Sequence, residues 1–377
     1  MSAETIKATP HDGAACTRCH KADTTHHIRS DKVCQSCFVQ YVTTKAIKRM
    51  ETYRIRGSSY NIPRKLLLPV SFGPSSASLL HILDQHIQGQ YNRMNRASYE
   101  LHVVHINVYV DPVDRKDADE LLAKYKSRFP KHTYSIVNLG EALHLDGIDW
   151  KALDMEQPTE ADRNTDRLLK LLASMSSATS RSDIASTLLA RLLVDVANRN
   201  GCTGILFGDS TTRLAERTLT ETAKGRGFSL PWQVSDGASP YGVDFHYPLR
   251  DVLKKEITSF SSLATPAIDG LILLREGSSL VSASSKLTTI DDLMVQYFES
   301  VEENYPSIVA NVVRTSSKLQ SLPNQDTQGC GLCGLPVAKD TDGIHGWGGD
   351  QNSDSRSAME DSHHGILCYG CSRSINS

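Results

Sequence analysis

Hydrophobic positions along the chain switch between strand-length runs and helical spacing. Leu66 to Val70 is a short apolar run of strand length, and Ser71 to Ser76 is a mostly small segment with one Gly and one Pro. From Ala77 the apolar residues Leu79, Leu80, Leu83 and Ile87 fall at helical spacing. A strand over Leu101 to Val110 follows. Next come a helix over Asp117 to Phe129, with Leu121, Leu122, Tyr125 and Phe129 on one side, and a strand over Tyr134 to Leu139. Residues 140 to 165 are acidic and irregular. One long helix is expected from about Asp166 to Asn198, where Ile184, Leu188, Leu192 and Val196 recur every four residues and Leu189 and Leu193 widen the face. Asn200 and Gly201 stop it. Thr203 to Phe207 reads as a buried strand, and Gly208 to Thr212 opens another helix. His246 to Ile257 begins as strand or turn and becomes helical, and residues 288 to 319 read as one or two helices broken near Pro306. This β-α-β rhythm predicts an α/β fold, a parallel sheet with helices on both faces.

The two turns between strand and helix carry the candidate chemistry. Free amides and the helix dipole at such a turn favour an anion, usually phosphate. The first turn offers Ser71, Gly73, Ser75 and Ser76, and the second offers Gly208 and Asp209. The six residues from Ser71 to Ser76 resemble the phosphate loop of the N-type ATP pyrophosphatases, Ser-Gly-Gly-x-Asp-Ser/Thr. Phe72 stands where that motif has its first Gly, Pro74 removes an N–H, and Ser75 replaces the acid. A loop altered in this way keeps its shape but grips pyrophosphate poorly. The same six residues also fit an ordinary βα turn.

Cysteine spacing adds two modules. Eight of the nine cysteines form C-x-x-C pairs: Cys16 with Cys19, Cys34 with Cys37, Cys330 with Cys333, and Cys368 with Cys371. Only Cys202 stands apart, and it reads as a small buried residue. In a chain without an evident secretory signal, paired knuckles read as zinc ligands, so two structural Zn2+ ribbons are expected. His20, His26 and His27 lie inside the first ribbon, and His345, His363 and His364 near the second. All six are read as unneeded for the metal. Residues 1 to 15 read as unordered, and the polar insert from Gly334 to Leu367 as a mobile loop. No run has the apolar length of a membrane span, which makes a soluble intracellular protein the expectation.

The net charge of −2 does not announce nucleic acid, so any RNA-binding surface must be local. Lys45, Lys48, Arg49, Arg54 and Arg56 are interleaved with Tyr41, Tyr53 and Tyr60, a mixture that suits an RNA backbone and exposed bases. It equally suits a solvated helix joining two domains. Lys224 and Arg226, in a Gly-flanked loop, could approach a phosphate backbone or simply form an exposed turn.

Two zinc ribbons around an altered pyrophosphatase loop, the basic stretch through Arg56, the Pro248-Leu249-Arg250 element, and the segments Glu303 to Val309 and Val313 to Thr315 together resemble the cytoplasmic tRNA 2-thiolation protein 2 family. The resemblance implies an N-type ATP pyrophosphatase-like (PP-loop) domain between two zinc ribbons. The expected divisions are a ribbon over 1–44, a basic linker helix over 45–65, the PP-loop domain over 66–260, a helical segment over 261–322 and a second ribbon over 323–377. It further implies a cytoplasmic heterodimer with a related catalytic subunit, which thiolates the wobble uridine U34 of the tRNAs for Lys, Glu and Gln. Sulfur would come from a thiocarboxylated ubiquitin-related modifier.

The residues then bear on which subunit this is. Catalytic relatives carry a Gly-His-Asn-x-Asp-Asp type turn, whereas here Gly208 is followed by Asp209, Ser210, Thr211 and Thr212, with Ala215 and Glu216 retained. They also carry a C-x-x-C before that strand, where this chain has Ser174 to Arg181 and no cysteine. The expectation is a pseudo-enzyme without an iron–sulfur cluster and with little hold on ATP, which scaffolds tRNA for its partner. Two alternatives stay open: an independently active ATP-dependent RNA-modifying transferase, and a zinc-ribbon adaptor in modifier conjugation.

Overall fold

A computed structural model describes residues 15–21, 23–28, 31–53, 63–108, 112–156, 165–273, 288–321, 327–338 and 367–376. Arg54, Arg56, Tyr60, the first fourteen residues, most of the 334–367 insert and its three histidines lie outside these.

The chain opens on a small hairpin, β1 (His26–Ile28) against β2 (Asp31–Val33), and enters α1 (Gln35–Arg49) directly from Cys34. The α/β unit follows as β3 (Arg64–Pro69), α2 (Pro74–Met94), β4 (Tyr99–Asn107), α3 (Pro112–Arg128) and β5 (Thr133–Asn138). Then come α4 (Thr165–Ser174), α5 (Ala178–Arg199), β6 (Gly204–Leu206), α6 (Thr211–Ala223), the single turn α7 (Leu230–Gln233), β7 (Gly237–Ala238), β8 (Asp244–His246) and α8 (Lys254–Leu263). The last elements are α9 (Ile290–Asn304), α10 (Pro306–Ser316), a second hairpin of β9 (Thr327–Gly329) and β10 (Pro336–Ala338), and α11 (Tyr369–Asn376).

The six-stranded sheet has the order β5-β4-β3-β6-β8-β7, parallel except for the short β7 edge. The chain winds outward from β3 through β4 to β5, then returns to β6 on the other side of β3. That reversal leaves a crevice at the carboxyl ends of β3 and β6, where ligands of such sheets bind. Alternating residues of β3 feed two cores. Leu67 points into one with α4, α5, α6 and the C-terminal ribbon, and Leu66 and Leu68 into the other with α1, α2, α3 and α8.

The segment expected as one helix from 166 to 198 is two. Ser177 caps α5, its hydroxyl accepting the Ser180 amide at 3.0 Å, which breaks the run between Ser174 and Ala178. Hydrophobic periodicity is silent at the break, because between Met175 and Ile184 the chain is polar except for Ala178. Both cysteine modules are built into the cores. Cys16 and Cys34 pack with Phe38 and Val42 in one, and Cys330, Cys333, Cys368 and Cys371 are buried in the other.

Candidate functional site

The turn after β3 is a tight strand-to-helix turn at the head of α2. Gly73 is the N-cap of α2 and Pro74 its first residue, a position where the missing N–H costs no hydrogen bond. The amides of Ser75 and Ser76, in the first turn, have no intrahelical acceptor. The Ser76 hydroxyl donates back to the Gly73 carbonyl at 3.1 Å. Phe72 sits at φ +61°, the left-handed region that a bulky residue rarely adopts. Its ring is fully buried, stacked on His105 with centroids 4.2 Å apart and tilted against Tyr125 at 5.4 Å. The Leu273 amide donates to the Phe72 carbonyl at 2.9 Å. Phe72 therefore holds a backbone that glycine adopts freely, and its ring belongs to the core.

The turn after β6 meets this loop from the other side of the crevice. Gly208 approaches so closely that a Cβ there would lie 3.3 Å from the Ser76 amide nitrogen. Asp209 pairs with Arg217 at 3.0 Å. Ser210 caps α6 by accepting the Arg213 amide at 3.1 Å, and Thr211 donates its hydroxyl to the Arg250 carbonyl at 2.8 Å. Thr212 donates to Glu302 at 2.5 Å, tying the turn to α9. Ser71, Gly73, Ser75, Ser76, Gly208 and Asp209 all line a cavity of about 710 Å³.

The far wall of that cavity holds a buried charge cluster that local sequence does not show. Asp183, a turn into α5, receives two bonds from the Arg226 guanidinium, one of them at 2.8 Å. Lys224 reaches Asp183 at 3.1 Å and Asp291 at 2.7 Å, and Arg226 also pairs with Glu221 at 2.7 Å. Burial pushes the Asp183 carboxyl up, but the Arg226 bonds and the Lys224 charge outweigh it and hold it below the usual range. The expectation of an exposed Lys224–Arg226 loop is corrected here: the two residues are 8% and 3% exposed and fully engaged with acids. The signal that sequence reading overlooked is Asp183 itself, an acid on the inward side of an apolar helix.

This cluster also receives the C-terminal ribbon. Ser374 on α11 donates to Asp183 at 2.5 Å, and Gly370 lies so close that a Cβ would stand 2.8 Å from the Lys224 carbonyl oxygen. Tyr241 donates its hydroxyl to the Cys333 carbonyl at 2.6 Å.

The eight knuckle cysteines converge as two groups of four, each with all sulfurs within 4.8 Å, and all are free thiols. Sulfur separations of 3.8 Å (Cys19 to Cys34) and 3.9 Å (Cys333 to Cys368) match the ~3.8 Å edge of a tetrahedron with ~2.3 Å Zn–S bonds. Backbone amides already point at sulfur, Cys368 N–H at Cys330 Sγ (3.3 Å) and Cys371 N–H at Cys368 Sγ (3.4 Å), as a thiolate requires. Amide donation, led by Cys19, brings the Cys16 thiol down to about 6. The donor set fits a structural metal in both places, held by Cys16, Cys19, Cys34 and Cys37 and by Cys330, Cys333, Cys368 and Cys371. His26 rests against Phe38, with ring centroids 5.4 Å apart.

The basic candidates on α1 divide. Lys48 is exposed and Lys45 half-buried, with its ammonium over the Tyr41 ring at 5.7 Å. Arg49 is engaged, 2.6 Å from Asp251 and 3.7 Å from Asp236.

Comparison with known proteins places this geometry. A cytoplasmic tRNA 2-thiolation protein 2 from Sclerotinia sclerotiorum is 61% identical over 301 residues, covering 79% of this chain and 81% of the relative. The chain belongs to the cytoplasmic tRNA 2-thiolation protein 2 family. A second member, from Phaeosphaeria nodorum, is 48% identical over 96% of this chain and 94% of its own. The sequence profile of the family matches residues 289–373, the stretch running from α9 into α11. Among solved structures, the U34-tRNA thiolase NcsA from Methanococcus maripaludis, with its [4Fe-4S] cluster, superposes with a TM-score of 0.58 at 16% identity. It covers 86% of this chain and 93% of the thiolase, and it shows a shared fold. No helix among the described residues is long and apolar enough to cross a membrane.

Proposed function

We propose that this chain acts in the cytoplasm in wobble-uridine 2-thiolation of the tRNAs for Lys, Glu and Gln, as the non-catalytic, tRNA-holding subunit. Its partner is a related PP-loop sulfurtransferase, in a heterodimer fed by a thiocarboxylated ubiquitin-related modifier. Family membership supports the pathway. The observation that supports the non-catalytic role is Phe72, a side chain built into the core from the position where a phosphate loop needs an open glycine. The adenylation step would need free loop amides, a metal-binding acid and a clamp on the leaving pyrophosphate. Here the loop acid is replaced by Ser75, Asp209 is committed to Arg217, and Lys224 and Arg226 are committed to Asp183. The expected place for thiol chemistry, before α5, carries the capping residue Ser177.

Each four-cysteine group takes one structural zinc ion on this reading. Four sulfurs within 4.8 Å enclose a single ion rather than a four-iron cube, which supports a chain without an iron–sulfur cluster. A second reading, nucleotide handling, draws on Ser75 and Ser76, which line the cavity from the first turn of α2. Pyrophosphate release by the isolated chain, abolished by Ser76→Ala, would establish it.

The deciding experiment is single-turnover thiolation of tRNA by the catalytic subunit, with and without this chain, alongside tRNA binding by each. Thiolation is expected to need both chains and to survive Ser71→Ala and Ser76→Ala. Normal thiolation by the partner alone, or its loss on either hydroxyl change, overturns the assignment.

A further inference from the structure

The structure separates cations that are neutralised internally from cations that are left over, and the second set includes Arg18, Lys21 and Lys32, which the sequence did not single out. Lys224, Arg226 and Arg49 are held by acids. Arg18, Lys21, Lys32, Lys45 and Lys48 form no ion pair among the described residues, and all but the half-buried Lys45 are exposed. Residues 15–53 carry seven Lys and Arg against three Asp and Glu, in a chain whose net charge is −2. The N-terminal ribbon and α1 are thus a local basic surface on a near-neutral protein.

Its geometry is built. Arg18, between the ligands Cys16 and Cys19, lies over the Tyr41 ring of α1 at 4.9 Å, and Lys45, one turn along α1, lies over the same ring at 5.7 Å. Two like charges from different elements are held on one aromatic ring. Lys48 continues the row one turn further. The ribbon is fastened to itself by Thr17, whose amide and hydroxyl both donate to the Lys32 carbonyl, at 3.1 and 2.9 Å. The metal group joins the knuckle bearing Arg18 to the helix bearing Tyr41, because Cys37 lies in α1.

We propose that this ribbon face, with Arg18, Lys45 and Lys48 at its centre, is the phosphate-contacting surface for tRNA, and that the N-terminal metal holds it in register. This rests on the tRNA-holding role proposed above and names its site. Converging cations that form no ion pair among the described residues recover their Coulomb cost when a phosphodiester backbone supplies the counter-charge and sheds its own counterions. The ribbon face, not the turn after β3, then carries the RNA.

The test uses the full-length, metal-loaded chain and an unmodified tRNA-Lys transcript, titrated at several salt concentrations. The variant is R18Q/K45Q/K48Q, and the control is K124Q/K126Q/K131Q, an equal charge change on exposed residues of α3 and the turn after it. Each phosphate contact is worth roughly eightfold at about 0.1 M salt and ~0.9 in the slope of log K against log salt. The ribbon variant is expected to bind about 60- to 500-fold more weakly with a slope shallower by about 2 to 3, as two or all three contacts are lost, and the control to bind as wild type. Metal content and thermal midpoint of the ribbon variant should match wild type, which separates lost contacts from lost folding. Stripping the N-terminal metal through Cys34→Ser should weaken binding as much as the triple change. If the wild-type chain, alone and with its partner, binds no tRNA, the functional reading and this site both fall. If wild type binds tRNA and the ribbon variant binds equally, only the site falls. Loss of partner retention with tRNA affinity intact would make the face a protein-docking surface and overturn the proposal.

Discussion

Replacing Phe72 by alanine and by glycine separates the cost of its backbone from the value of its side chain. The ring is fully buried between His105 and Tyr125, and deleting such a ring costs ~3–5 kcal/mol. Alanine keeps a Cβ at φ +61° and so keeps the left-handed penalty of ~1–2 kcal/mol. Glycine sheds that penalty but loses ~0.4–1 kcal/mol through a freer unfolded chain. The expected order is therefore inverted from an ordinary core site: Phe72→Gly is more stable than Phe72→Ala by ~0.5–1 kcal/mol, although it is the smaller residue. Both variants stay folded if the domain has an ordinary reserve of ~5–15 kcal/mol. Urea unfolding followed by tryptophan fluorescence, with the m-value held common, reads the difference as a shift in midpoint. Alanine equal to or more stable than glycine would refute the left-handed assignment. A cost below ~1 kcal/mol for Phe72→Ala would refute the burial.

Asp183→Ala strands Arg226 and Lys224 without their shared carboxylate and should cost ~3–5 kcal/mol, read as a drop in urea midpoint, whereas an exposed pair would cost under ~1 kcal/mol. Cys371→Ser should remove one zinc equivalent and lower the thermal midpoint of the whole domain, because its sulfur is buried in the main core. An unchanged midpoint would show that the ribbon is an independent module. Burial, with help from the Arg128 charge, depresses His81 to about 4, so the native ring stays neutral where the unfolded chain binds a proton. Its contribution is present above about pH 6.5 and is lost as pH falls towards 4, by up to ~3 kcal/mol. His81→Leu should remove that part of the slope of stability against pH, and an unchanged slope would sink the argument.

What the sequence made legible is what is local in the chain. Strand-length runs placed β3, β4, β5 and β6 to within a few residues, and C-x-x-C spacing identified both metal groups, because both patterns are properties of neighbouring residues. The missed break at Ser177 is a local cap in a polar stretch, whereas the misreading of Lys224 and Arg226 is long-range. Lys224 and Arg226 look like a solvent loop until a partner 43 residues away in the chain, Asp183, is brought beside Arg226. The segment after α1 is tied to the domain by equally distant partners: Met50, Tyr53 and Phe260 share one core, and Arg49 meets Asp251 across 202 positions. Phe72 was visible as a departure from a motif, but its direction was not. Whether a residue in the glycine position blocks the crevice or turns away depends on the hole that His105 and Tyr125 leave.

Phe72 trades backbone strain against core packing. A glycine at position 72 would take the left-handed backbone without strain but leave the space beside His105 and Tyr125 unfilled, a local weakness. Phe72 removes the weakness by filling the core, and the left-handed backbone survives because the ring's burial exceeds its strain, ~3–5 against ~1–2 kcal/mol. The same exchange recurs at the cleft wall. Cations that could have clamped a pyrophosphate are satisfied by Asp183, Glu221 and Asp291, and the cluster then anchors Ser374 of α11. On the reading proposed here, the loss of catalytic equipment and the docking of the second ribbon are one structural change. If that reading holds, Phe72→Gly alone gives no pyrophosphate release, because Lys224 and Arg226 could turn to a phosphate only by leaving Asp183, which also anchors Ser374 of α11.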